Sequence, residues 1–159
     1  MPLISLSVSW IIVIDICAWT FFHLFISVIC LKLPLTIFQE NNFWFQIYSW
    51  EKSGDLWQRL FRVKSWKSKL IDGTIFLKKG YEKKALHGTR VKDLRSFADE
   101  TKRAELTHWL SILPAPLFFL WNPFWVGWVM IVYALVFNLP IIIAQRYNRG
   151  RIIEILTRK

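Results

Sequence analysis

The sequence predicts an all-α integral membrane protein, with about three transmembrane helices and interfacial amphipathic helices on the cytoplasmic side. Three observations lead there. Hydrophobic residues fill 54% of the 159 positions and aromatic ones 17%, well above soluble chains. Ten of the aromatics are Trp, a ring that collects where hydrocarbon meets headgroups. The 21 Lys and Arg are also segregated: sixteen lie between Lys32 and Arg103, five between Arg146 and Lys159, and none in the first 31 residues. By the positive-inside rule both charged regions face the cytoplasm, with the N-terminus outside and the C-terminus inside.

The first crossing spans residues 6–31, an almost wholly apolar run interrupted mainly by Asp15 and His23. It exceeds the roughly 20 residues that hydrocarbon requires. Met1 to Trp10 hold no Lys or Arg, so a membrane helix is expected here rather than a cleaved signal peptide. Asp15, Trp19 and His23 fall at i, i+4, i+8 and share a stripe, and an acid within a membrane segment is a functional candidate. The two cysteines, Cys17 and Cys30, would stand about 20 Å apart on one helix, beyond disulfide reach. They read as packing residues.

Residues 32–99 form an interfacial region. Leu56, Leu60, Val63 and Leu70 recur at helical spacing among Arg59, Arg62, Lys64, Lys67 and Lys69, the pattern of a helix lying flat on anionic lipid. Phe43, Trp44, Phe45, Tyr48 and Trp50 suit the headgroup layer just upstream. Asp72-Gly73 and Lys79-Gly80 read as turns around a short extended piece, Thr74 to Leu77. A second crossing, or a re-entrant half-helix, is expected at 105–120, where Pro114 and Pro116 must kink or break it. Trp121-Asn122-Pro123 turns the chain into a third crossing at 124–144, followed by a cytoplasmic tail at 145–159. The whole is one membrane domain.

The formal charge of +10 beside long apolar runs points to anionic membrane lipids rather than nucleic acid, for which no module motif is present. No His/Cys cluster has metal-ligand spacing, so no metal is expected. There is no Gly-x-Ser-x-Gly elbow, P-loop or dinucleotide fingerprint. The acyltransferase pattern of His, four residues, Asp also fails: Asp93 lies one position too far from His87, and His108 has no acid at that spacing.

What remains is a dense polar run, Glu100 to His108, leading without a break into the apolar hairpin at Trp109. Burying charge at a bilayer edge is costly, so such groups reach water, pair with one another, or bind something polar. On a helix, Thr101, Glu105, His108 and Ser111 share a face. Glu105 could then fix the tautomer of His108, and the pair could activate a hydroxyl: imidazole takes the proton, carboxylate steadies the imidazolium. At the far foot of the hairpin, Gln145, Arg146, Asn148 and Arg149 return polar groups to the same side. Arg103, Arg146 and Arg149 suit an anionic donor, and Asn148 or Gln145 a sugar. With Glu100, these are the candidate substrate-binding residues. Asn138, an amide within the third crossing, needs a partner across the bundle and reads mainly as helix-to-helix glue.

Three runs carry a family resemblance. ETKRAELTHWLSILP (100–114) and LPIIIAQRYNR (139–149) closely resemble the glycosyl-4,4'-diaponeurosporenoate acyltransferase family of staphyloxanthin biosynthesis. EKSGDLWQRLFRVKSWKSKLIDG (51–73) resembles it in its E-x-x-G start and its W-K-x-x-L-x-D-G end. The likeness runs from about Leu33 onward. It implies a membrane enzyme that esterifies a sugar hydroxyl of a glycosylated C30 carotenoid, or a related glycolipid, with a fatty acyl chain. An acyl thioester would serve as co-substrate and no cofactor would be needed. His108 and Glu105 come from the chemistry of the residues, not from the resemblance. A non-catalytic scaffold that recruits biosynthetic enzymes through its basic surface is the alternative.

Overall fold

A computed structural model describes residues 6–39, 43–70 and 91–158. Every regular element among them is helical. The expected turns at Asp72-Gly73 and Lys79-Gly80, the piece between them, and His87 lie outside the described residues.

Helix α1 (Val8–Lys32) matches the first apolar run and leads to a short α2 (Thr36–Gln39). Tight 3-10 turns at Phe43–Phe45 and Ser49–Gly54 precede α3 (Asp55–Phe61) and α4 (Val63–Trp66). The single flat helix expected here is therefore two pieces. Arg62 between them adopts φ 48°, a left-handed conformation that breaks the helix and turns Val63 inward. Val63 is fully buried against Ala144 and Tyr147, so this stretch packs on protein as well as facing outward.

The hairpin is built from α5 (Val91–Ile112), a 3-10 turn at Ala115–Leu120, and α6 (Phe124–Thr157). The second crossing was expected over 105–120. Instead the helix starts some fourteen residues earlier and stops at Ile112, because the residue before Pro114 is driven out of the α region. The third crossing and the tail are likewise one helix, continuous through Pro140 to Thr157. Among the described residues two helices, α1 and α6, are long and apolar enough to cross a membrane. Their outer faces expose Val8, Trp10, Ile16, Phe21, Phe124, Trp125, Val132 and Val136, a surface suited to hydrocarbon.

Small cores pin the hairpin at three levels. At the turn end, Trp19 of α1 stacks on Phe118 with ring centroids 4.5 Å apart, over Ala115 and Ala134. Midway, Val63 meets Ala144 and Tyr147. At the foot, Leu94, Phe97 and Ala98 close on Ile152. Asp15 does not reach for His23. Its Oδ1 accepts hydrogen bonds from Trp121 Nε1 (2.7 Å) and Asn122 Nδ2 (2.8 Å), which latches α1 to the hairpin turn. His23 instead stacks on Trp19, with ring centroids 5.3 Å apart. An apolar groove of about 350 Å3, lined by Val13, Cys17, Phe21, Phe22 and Trp121 among others, lies at this turn end.

A candidate active site at the polar foot of the hairpin

Antiparallel packing brings the polar run of α5 beside the last turns of α6, so the two polar stretches do converge. Glu105 is 1% exposed and Arg149 0%. Arg149 Nη2 donates to Glu105 Oε2, and its Nη1 lies 3.4 Å from Thr101 Oγ1. Arg146 Nη1 donates to the other oxygen of Glu105 at 2.8 Å. The far side of Arg146 grips Glu51, with Nε to Oε2 at 3.0 Å and a second bond from Nη2 to Oε1. Glu51, Arg146, Glu105 and Arg149 thus alternate in sign and sum to zero. That balance makes their burial tolerable, since an isolated ion there would cost several kcal/mol.

Glu51 arrives from 95 residues away because its turn is shaped to deliver it. Its carboxylate accepts the backbone N–H of Tyr48 (3.1 Å) and the indole N–H of Trp57 (2.7 Å). The chain then passes through three left-handed residues, Lys52, Ser53 and Gly54. Gly54 lies against the backbone of Tyr147, where a Cβ would stand 2.9 Å from the carbonyl oxygen. Opposite it, a Cβ on Gly150 would stand 2.6 Å from the carbonyl carbon of Ser53. The runs E-x-x-G (51–54) and R-Y-N-R-G (146–150) are two halves of one close contact. Burial pushes the Glu51 carboxyl up, but hydrogen bonds from Arg146, the Tyr48 N–H and Trp57 outweigh it and hold the group below its ordinary range.

One turn nearer the apolar end, His108 Nδ1 lies 2.8 Å from Asn138 Oδ1. The amide of Asn138 is itself fixed, because its Nδ2 donates to the carbonyl of Ala134 at 2.8 Å, an oxygen that can only accept. Oδ1 must therefore face the imidazole and Nδ1 must carry the hydrogen. In the neutral ring this places the lone pair on Nε2. The orienting role read for Glu105 thus has a second occupant: Asn138 holds the ring, while both oxygens of Glu105 are engaged by guanidinium groups.

The remaining predicted residues divide. Arg103 pairs with Glu100 through one nitrogen, Nη2 lying 2.7 Å from each carboxylate oxygen. Asn148 Oδ1 accepts from Lys67 Nζ at 2.7 Å. Burial, then the nearby Lys64 charge, pulls the Lys67 ammonium below its ordinary value. Gln145 is 8% exposed, and its Oε1, like Nε of Arg149 one turn on, has no hydrogen-bond partner among the described residues. Such a buried acceptor and donor are each left with unmet hydrogen-bonding capacity. The arginines expected to meet a free anion are thus committed to carboxylates of the chain itself, and Arg149 has no exposed surface at all. Among the described residues, no group of three His, Cys, Asp or Glu is placed to hold a metal ion.

Sequence reasoning missed Glu51 as a site residue, and gave Asn138 a structural role. The signal for Asn138 was present, since an amide within an apolar helix must find a partner. Glu51 was visible only as the first letter of its motif.

Among the described residues every regular element is helical, two apolar helices reach spanning length, and an imidazole held by an amide lies beside buried ion pairs, which defines a helical protein with a polar cluster at an apolar-polar boundary. The chain belongs to the glycosyl-4,4'-diaponeurosporenoate acyltransferase family, whose model matches residues 41–158. A relative of that name from Staphylococcus haemolyticus is 37% identical over 134 residues, covering 84% of this chain and 78% of the relative. Another, from Staphylococcus aureus strain MRSA252, is 36% identical over 138 residues, covering 87% and 83%. No solved structure matches. The protein is therefore an enzyme of the acyltransferase class.

Proposed function

We propose that this protein is a membrane O-acyltransferase that esterifies a sugar hydroxyl of a glycosylated C30 carotenoid, or a related glycolipid, using a fatty acyl thioester. The substrate class follows the names of the relatives. The observation that carries the mechanism is the His108–Asn138 pair at 2.8 Å.

In this reading His108 Nε2 removes the proton of the sugar hydroxyl as its oxygen attacks the thioester carbonyl. The tetrahedral intermediate collapses with loss of the thiolate, and the imidazolium returns the proton to sulfur. Products are the ester and a free thiol. Asn138 keeps the ring in the tautomer that can accept. Gln145 Oε1 is available to hold a second sugar hydroxyl. Glu51, Arg146, Glu105 and Arg149 together supply a fixed, neutral but strongly dipolar wall, while Arg103 and Glu100 sit at its rim.

In the bilayer, α1 and α6 cross and the proline-broken α5 hairpin arm accompanies them. The N-terminus lies outside and the foot faces the cytoplasm of a bacterial cell, where soluble acyl donors are made. The whole chain acts as one membrane domain. Purified protein in liposomes, given glycosylated carotenoid and acyl thioester, should yield a product heavier by one fatty acid less one water. A protein that merely recruits other enzymes would yield none.

A further inference from the structure

Residues 43–70 expose two residue types together, large apolar side chains and cations. Phe43 is 68% exposed, Trp44 79%, Trp50 53%, Leu60 63% and Phe61 47%. Lys52, Arg59, Arg62, Lys64 and Lys69 are exposed in the same stretch. It holds six Lys and Arg against two acids. Neither acid offsets the exposed cations locally: Glu51 is buried on Arg146, and Asp55 pairs with Arg151 at 3.3 Å.

The rings are organised. Trp44, Phe43, Tyr48, Trp50, Trp57 and Phe61 follow one another with centroids 5.8 to 6.2 Å apart. Trp57 ties this ladder to Glu51, and the Gly54–Tyr147 contact ties it to α6. The ladder is therefore held at a fixed height beside a helix of membrane-spanning length.

We propose that residues 43–70 form a collar that binds anionic phospholipid headgroups in the leaflet next to the polar foot. Its rings rest at the hydrocarbon boundary, and Arg59, Arg62, Lys64 and Lys69 reach the phosphates. An acidic protein partner would satisfy the cations but leave Phe43 and Trp44 facing water. A lipid surface satisfies both at once.

The test uses full-length protein in nanodiscs of mixed phosphatidylcholine and phosphatidylglycerol. Energy transfer from Trp is read to a dansyl label carried by one lipid or the other. Transfer to phosphatidylglycerol should exceed that to phosphatidylcholine several-fold at low salt. The excess should fade as the screening length falls from about 10 Å at 0.1 M to about 3 Å at 1 M. The triple variant Arg59→Gln, Lys64→Gln, Lys69→Gln should lose the preference, by up to about fivefold per cation in full contact. Trp44→Ala should lower transfer to both lipids alike. Equal transfer to both lipids in the wild type overturns the proposal, as does a preference that survives the triple variant. If a purified acidic acyl-carrier protein binds wild-type protein in pure phosphatidylcholine discs and, added to the mixed discs, erases the lipid preference, the surface belongs to that protein and the proposal falls. Should the triple variant not fold, the salt series on the wild type decides alone.

Discussion

The two ends of the hairpin place a carboxylate in poorly hydrated surroundings and stabilise it by opposite means. At the turn end, Asp15 takes hydrogen bonds from two neutral donors, Trp121 and Asn122. At the foot, Glu105 is gripped by two guanidinium groups, one of which also holds Glu51. The first arrangement is a latch between elements. The second is a balanced network in which each charge depends on its neighbours, so damage there spreads.

The largest expected effect is therefore at the foot. Glu105→Ala leaves Arg149 buried and unpaired, and should cost about 3–5 kcal/mol. Thermal unfolding in detergent would show a broad loss of the folded state. Gly150→Ala comes next: its methyl would meet the Ser53 backbone at 2.6 Å, forcing the 49–54 turn away from α6. We expect about 1–3 kcal/mol of destabilisation, with Glu51 drawn off Arg146 and acyl transfer reduced. At the turn end, Asp15→Asn keeps an acceptor and loses only charge assistance, about 1 kcal/mol, with turnover nearly unchanged. That variant sharpens the comparison, because a large loss of activity there would make Asp15 more than a latch.

The smallest effect is on pH dependence. The folded protein holds the Glu51 carboxyl below its ordinary value of 4.5, so the unfolded chain binds the proton more readily. The stability it contributes is complete above that value and is lost as pH falls through the lower, folded value. Melting temperature measured from pH 7 downward should hold to about pH 5 and then decline. In Glu51→Gln the decline should be shallower.

Much of this was legible in the chain. The first apolar run and the hairpin turn fell where hydropathy placed them, and the two polar stretches met as their positions at the hairpin feet required. The extent of α5 was not legible, because its polar first half has no membrane signature and only Pro114 marks its end. Arg62 hid a break inside a good helical period, since nothing in a periodicity test registers a left-handed residue. Glu51 was obscured for another reason. Its partner lies 95 residues away, and no local pattern reports a pairing that depends on Gly54 and Gly150 letting two backbones touch. The contact of His108 with Asn138 escaped similarly: Glu105 is nearer in sequence, but two arginines bond its oxygens.

The most direct test of the catalytic assignment measures ester formation by reconstituted wild type, His108→Ala and Asn138→Ala at matched amounts of folded protein. Loss of the base should lower turnover about 100- to 10,000-fold, and loss of its orienting amide about 10- to 100-fold. Turnover in His108→Ala within a factor of about three of the wild type would contradict the assignment of that imidazole as the base.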